Sequence, residues 1–425
     1  MPPSAPRRPS SQRSSGTICS NPSRSTSRSM MARAIRLSAS TSSTRSACAR
    51  SMAMRCPTSS RVGTSCPCSW RSHPWAGSPI SSRARTAVLP GPDTLPAVEE
   101  IAVAELGDRI ASVPQPVVVR GLVRDWPLVQ AGLRSAREAR DYLARHARPV
   151  DLPVSIADPS QRGRLFYDEA MAVNFRMGKG RLADILAGFD KAEGRNADEV
   201  PTVYLGSIDI RRYFDGLHEA NSVDLGREDA LASIWIGNAT RIAAHNDHPR
   251  NLACCVVGRR RFTLFPPDQF ANLYLGPIDI TPAGRPVSLV DFEAPDFESH
   301  PRFREALAHA RVAELEPGDA VVIPPLWYHH VEAKAPFNVL VNYWWRDTPR
   351  YLGQPQTALT HAIMAIRDLP EDERAIWRAM FEHYVFSGGE AARAHVPVEG
   401  QGVLAPLGAR AAERLHQFLL RSLSQ

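Results

Sequence analysis

The segment AAHNDHPRN, residues 243–251, sets an imidazole and a carboxylate two positions apart, His245 and Asp247. Ile234, Trp235 and Ile236 precede it and Leu252 to Val257 follow, so the surroundings read as buried strand. Residues two apart on a strand face the same way, so both side chains can reach one ion. His-x-Asp alone is a weak signal in a chain with 13 histidines. The weight comes from a second stretch, PGDAVVIPPLWYHHV over 317–331: a tight turn, an apolar strand, then His329 and His330 beside aromatics. Two histidines and one carboxylate on one side of a metal leave three adjacent positions open, the arrangement of non-haem ferrous sites that handle oxygen. Neighbouring strand residues point apart, so only one of His329 and His330 can join the first pair.

Such side chains need a β scaffold, and strand signals dominate residues 231–346: ASIWIGN, NLACCVVG, RRFTLFP, DAVVIP, HHVEA and FNVLVNYWW. Turn residues separate them at Gly258, Pro266-Pro267 and Pro317-Gly318-Asp319. Short strands spaced by turns predict a barrel or a double-sheet jelly roll. A long insertion, 267–312, interrupts them and carries a short helix at PRFREALAHAR. Upstream, a buried strand is expected at Val117–Val119, a turn at Gly121 and a helix start near Trp126-Pro127. Further helices are expected over 135–147 and 182–194. After 349 the pattern turns helical, with Leu359, Ile363 and Ile366 on one face and Trp377, Met380, Phe381 and Tyr384 on another. Region 349–425 therefore either packs back on the 93–348 domain or acts as a dimerisation element that makes the protein a homodimer.

The formal charge of +7 is unevenly spread. Residues 1–92 hold 14 of the 51 basic residues and none of the 44 acidic ones, leaving 37 basic against 44 acidic beyond them. This Arg- and Ser-rich leader lacks apolar periodicity and is expected to be disordered. It reads as a transit peptide, as a basic arm for nucleic acid, or as sequence that is not native coding, from an upstream start or a misread frame. The last reading is preferred, because globular patterning begins abruptly near Asp93. The mildly acidic remainder argues against nucleic acid as a partner. Five of the seven cysteines lie in the leader, and Cys66-Pro-Cys68 lacks the second pair a zinc ribbon needs. Cys254 and Cys255, adjacent on a strand, face opposite sides and read as core. Nothing implies disulfides, and no run reaches the roughly 18 apolar residues of a membrane span. A reduced, cytoplasmic setting is the expectation.

Three ordered stretches, AAHNDHPRNLACCVVGRRRFTLFPPDQFANLYLGP, ELEPGDAVVIPPLWYHHVEA and NVLVNYWW, together resemble the Jumonji C, cupin-like oxygenases that depend on Fe(II) and 2-oxoglutarate. Among these, the stretches are similar to the asparaginyl-hydroxylase type. The resemblance covers roughly 97–390 and is strongest over 231–346. It implies a mainly β fold with flanking helices around a double-stranded β-helix (jelly-roll, cupin-like) core. It implies His245, Asp247 and His329 as the catalytic metal ligands, with His330 turned away. Fe(II), 2-oxoglutarate as co-substrate and dioxygen are the implied cofactors. Where the asparaginyl-hydroxylase type pairs a Lys with the distal carboxylate of 2-oxoglutarate, this chain has Arg260, which can bind a carboxylate bidentately. Alternation agrees, with Arg260, Phe262 and Leu264 on one face and Arg259, Arg261 and Thr263 on the other as a solvated basic hairpin. Asn251, Asn342 and Tyr204 fall where the resemblance implies polar contacts to the co-substrate, and Trp344 is expected to wall the pocket. One departure is Ile242, which replaces a Thr hydroxyl of the co-substrate site.

The implied reaction is hydroxylation of a protein side chain or small molecule, with 2-oxoglutarate decarboxylated to succinate. The competing reading is a cupin-like scaffold that binds metal or ligand without oxidising anything. A cupin enzyme using three or four histidines fits less well, because one carboxylate and two histidines are what the motifs offer. Fold and ligand set do not choose the substrate.

Overall fold

A computed structural model describes residues 94–110 and 112–424 of the chain. The leader, with its five cysteines and the Cys66-Pro-Cys68 motif, lies outside the described residues. The strands upstream of the first metal motif are β1 (Glu99–Ile101), β2 (Val117–Val119), β3 (Asp151–Ala157), β4 (Arg164–Leu165), β5 (Phe175–Arg181), β6 (Thr202–Asp209) and β7 (Leu231–Gly237). Those that follow are β8 (Thr240–Asn246), β9 (Arg250–Val257), β10 (Arg260–Phe265), β11 (Arg311–Leu315), β12 (Ala320–Ile323), β13 (Tyr328–Ala333) and β14 (Asn338–Trp345). They make a nine-stranded sheet, ordered β1-β2-β12-β9-β14-β7-β6-β3-β5, and a five-stranded sheet, ordered β11-β10-β13-β8-β4. This is the jelly-roll core that the spaced strand signals predict.

The inner faces of the two sheets meet in a core containing Ala253, Cys255, Phe262, Leu264, Val321, Val331 and Leu340. The outer face of the larger sheet packs under the helices Pro127–Arg134, Ala136–His146 and Leu182–Ala192. Strand β9 is buried along its whole length, with Leu252, Cys254 and Val256 toward the helices and Ala253 and Cys255 between the sheets. A strand covered on both faces has no solvated side, which is why its sequence is an unbroken apolar run. The adjacent thiols diverge as expected, and burial pushes Cys255 up to about 12. The Ala136–His146 helix begins where Ser135 Oγ accepts from the Glu138 backbone N–H at 3.1 Å, satisfying one of the amides a helix start leaves unpaired. Gly258 turns β9 into β10 at φ +76°, where a Cβ would stand 2.3 Å from Asn338 Oδ1.

Insertion 267–312, with its Phe303–His309 helix, covers the outer face of the smaller sheet through Phe303, Ala306 and Leu307. Beneath it, Arg261 departs from the solvated hairpin expected of it. It lies 3.2 Å from Glu314 of β11 and 3.7 Å from Glu332 of β13, so cross-strand carboxylates rather than water hold its charge. Past β14 the chain is helical over Pro355–Ile366, Glu371–Phe381 and Ala409–Leu423. No residue of the first two is buried, and Met364 and Phe386 are 72% and 69% exposed. Among the described residues no helix is long and apolar enough to cross a membrane.

Strand β13 runs antiparallel to β8, with His329 opposite His245 and Val331 opposite Ile242. Two steps along β13 thus match three along β8, which places a β-bulge at Ala243-Ala244. His330, next along β13, points outward and stacks on Phe292 of the insertion with ring centroids 4.5 Å apart. Burial first, then the Arg241 and Arg164 guanidiniums, hold its imidazole down at about 3. The unfolded chain protonates this histidine below about pH 6.5 while the folded chain does not, so stability falls as pH drops from there toward 3. In metal-free protein, His330→Gln is expected to make the fall in unfolding free energy between pH 6 and 4 shallower by about 1.4 kcal/mol per pH unit. Urea melts across that range check this, and an unchanged slope refutes it.

Candidate metal centre

His245 is the penultimate residue of β8, and Asp247 stands one residue past the strand end. His329 reaches the same point from the start of β13. One ligand atom from each of the three lies within 4.8 Å of the others, and the two imidazole centroids are 4.4 Å apart. His329 Nε2 is 3.7 Å from Asp247 Oδ2. Each ring is oriented by its own backbone: His245 Nδ1 lies 2.9 Å from the Ala243 carbonyl and His329 Nδ1 3.1 Å from the Trp327 carbonyl. With those Nδ1–H groups donating, both Nε2 lone pairs are free for an ion. Burial, reinforced by the His245 imidazole, holds His329 down at about 4, so it is neutral and ready to ligate at ordinary pH.

The loop before β13 clamps this arrangement. Leu326 donates its backbone N–H to the Asp247 carbonyl at 2.8 Å. It does so from a left-handed conformation, φ +67°, which costs a residue with a Cβ about 1–2 kcal/mol. Trp327 anchors the other side through Nε1, which donates to the Pro114 carbonyl at 3.3 Å.

Deeper in the cavity, Arg260 of β10 faces inward with Phe262 and Leu264 and is only 3% exposed. Its Nε has no partner, and the ionisable groups that act on it are the Tyr204 hydroxyl and the Cys255 thiol, not a carboxylate. A guanidinium stays charged in a protein, so burial without a counter-charge is costly. Tyr204 of β6 stands beside it, and burial raises the phenol above its ordinary range. Two glycines make room for that ring: a Cβ on Gly206 or Gly237 would meet Tyr204 at 3.1 or 3.2 Å. Neither glycine is singled out by the sequence patterns.

The remaining residues singled out by the resemblance also face the cavity. Asn342 Nδ2 donates to Asn251 Oδ1 at 3.3 Å, and Asn342 Oδ1 accepts from Trp235 Nε1 at 2.7 Å. Trp344 packs edge-on against Trp235, centroids 5.8 Å apart, with its own Nε1 buried and unpartnered. Ile242 joins the apolar core between the sheets, so no hydroxyl stands at that point. Ser233 of β7 was not anticipated: it is 1% exposed, its Oγ has no partner, and it lies opposite Asn342. Its signal is positional, a polar residue in phase with inward-facing Trp235.

Comparisons with known proteins place this geometry. Lysine-specific demethylase JMJ31 of Arabidopsis thaliana is 36% identical over 121 residues, which cover 28% of this chain and 22% of that protein. HSPB1-associated protein 1 of Homo sapiens is 30% identical over 155 residues, 35% of this chain and 31% of that one. The chain thus spans less than a third of the length of either. tRNA wybutosine-synthesizing protein 5 of Gallus gallus is 29% identical over 289 residues, 61% of this chain and 84% of that one. A family model described as a cupin-like domain matches residues 103–351, more than half of the sequence. The chain belongs to the cupin-like family, of the Jumonji C type.

Proposed function

We propose that this chain is an Fe(II)- and 2-oxoglutarate-dependent dioxygenase that hydroxylates a protein side chain or a small molecule. One observation carries the reading: a partly buried cluster of two imidazoles and one carboxylate stands on the same inner face as a buried guanidinium that, among the described residues, lacks a counter-charge. Leu264 stands opposite His329, and Arg260 lies four residues further along β10, about 13 Å at the rise of an extended strand. A dicarboxylate reaching from the metal toward the long Arg260 side chain fits that interval. Relatives named for lysine demethylation and for tRNA wybutosine synthesis are consistent with an enzyme of the 2-oxoglutarate oxygenase superfamily.

His245, Asp247 and His329 would hold the ferrous ion from one side, and Arg260, with Tyr204 beside it, would receive the distal carboxylate of 2-oxoglutarate. When bound, the ion supplies dioxygen activation coupled to oxidation of the co-substrate. The balance is substrate C–H, 2-oxoglutarate and O2 to substrate C–OH, succinate and CO2. Ala243 and Trp327 hold the protons of the two imidazoles on Nδ1 through their carbonyls, keeping the ligand nitrogens unprotonated. Trp235, Trp344, Phe262 and Val331 line the interval with hydrocarbon and limit water around the reacting groups. Ile242 favours a second reading, a scaffold that binds metal but not co-substrate. Calorimetry with Mn(II) and then 2-oxoglutarate separates the two.

The C-terminal helices support a further part of the reading, association of two copies of the chain. Ala409–Leu423 carries Phe418, Leu419, Leu420 and Leu423 exposed, a stripe that one chain leaves uncovered. A two-fold contact between like surfaces would bury it.

Replacing His245, Asp247 or His329 by Ala is expected to weaken Mn(II) binding and 2-oxoglutarate-dependent succinate formation by roughly a hundredfold or more. Succinate formation that survives His245→Ala sinks the oxygenase reading. Arg260→Leu is expected to weaken 2-oxoglutarate binding about a hundredfold with Mn(II) affinity unchanged. The same variant removes a buried unpaired charge, so the Tm of the ligand-free protein is expected to rise rather than fall. Light scattering on the full chain is expected to report a dimer that Leu419→Glu converts to monomer; a monomeric parent refutes the pairing.

A further inference from the structure

Directly after Asp247 the β8–β9 turn carries His248, which the reaction above does not use. Its two ring nitrogens are taken by different parts of the chain. Nδ1 lies 3.4 Å from Gln354 Oε1, in the segment that follows the barrel, and Nε2 lies 3.4 Å from Arg285 Nη1, in the 267–312 insertion. Donation from Nδ1–H to Gln354 leaves Nε2 to accept from the Arg285 guanidinium, so the imidazole serves as a neutral bracket that aims Arg285. A second cation reaches the same place. Arg346 follows Trp345 at the end of β14, and Trp345 pairs with Arg250 just beyond the turn. The charges of Arg285 and Arg346 both act on His248.

Among the described residues neither guanidinium forms an ion pair, although the Asp247 carboxylate also acts on His248. Asp347, the nearest carboxylate in sequence to Arg346, is occupied by Arg227 and Arg250, and Asp229 is held by Arg227 and Arg350. Arg285 and Arg346 are half-buried rather than spread over a solvated face, and they come from separate segments of the chain. Like charges gathered this way raise the potential over the mouth and favour an incoming anion. The rim beside them is hydrocarbon: Leu326, next to Asp247, and Leu231, opposite Trp344, are 44% and 43% exposed.

We infer that the substrate carries an oxyanion, a phosphate or a carboxylate, that docks between Arg285 and Arg346 while a hydrocarbon segment of the same molecule lies on Leu231 and Leu326. This rests on the oxygenase reading and adds a substrate class to it. Guanidinium groups suit either oxyanion, since both present paired oxygens to the planar N–H fork. In this arrangement Arg285, Arg346 and His248 are specificity-determining residues, and the insertion contributes to the site as well as covering the sheet.

The test uses the full chain loaded with Mn(II) and 2-oxoglutarate, titrated calorimetrically at constant ionic strength with inorganic phosphate and, separately, with acetate. Saturable binding of at least one anion is expected, weakened about tenfold or more in Arg285→Gln and Arg346→Gln and unchanged in Arg176→Gln on the distant strand β5. Tighter binding of phosphate than of acetate, or the reverse, identifies which oxyanion the substrate carries. Normal loading of Mn(II) and 2-oxoglutarate in both variants shows that they fold. No saturable binding by the loaded parent, or binding that both variants retain in full, overturns the inference while leaving the oxygenase reading intact. A parent that cannot be loaded overturns both.

Discussion

His329 stands opposite His245 because β13 runs antiparallel to β8, and that pairing is what brings the two imidazoles together. The bulge at Ala243-Ala244 is what makes the pairing workable. With unbroken alternation, Ala243 and Arg241 would share the inward face with His245, and a charged side chain would enter the core. The extra residue instead turns Ile242 inward beside Val331 and leaves Arg241 outside, paired with Glu293. It serves the chemistry a second time, since the Ala243 carbonyl inside the bulge is the acceptor that orients His245.

The cavity behind this pairing is assembled against stability. Arg260, Ser233 and Trp344 each bury a polar atom with no partner, and His329 stays neutral down to about pH 4, whereas the unfolded chain protonates it below about pH 6.5. Buried polar groups are ordinarily satisfied, and these three exceptions all lie between the two sheets. The cost is borne by the continuous apolar layer between the larger sheet and its helices, which includes Leu128, Leu143, Leu205, Ile234 and Val339, all fully buried.

Segments outside the two sheets divide into those that complete the core and those that do not. The 267–312 insertion buries Phe303 and Leu307 and also brings Arg285 to His248. The C-terminal helices contribute little burial of their own, and their apolar faces stay exposed in one copy of the chain. A helix with an apolar stripe is stabilised mostly by what covers that stripe, and these helices leave theirs exposed where the jelly roll does not.

Much of this was legible in the sequence. Period-two alternation and turn residues located the strands of 231–346, the two-sided burial of β9 and the inward face shared by Arg260, Phe262 and Leu264, because side-chain direction on a regular strand follows from residue parity alone. The helix expected over 135–147 is likewise present, as Ala136–His146, since helix signals are local in the chain. What alternation could not supply was anything that depends on which strand lies alongside. The choice between His329 and His330, the bulge in β8, the glycine seats for Tyr204 and the ion pairs that hold Arg261 are all properties of strand pairing across long separations in the chain. The meeting of His248, Arg285, Arg346 and Gln354 depends on the return of four separate segments to one rim. Parity assigns a side chain to a face, but only the closed sheets decide what that face meets.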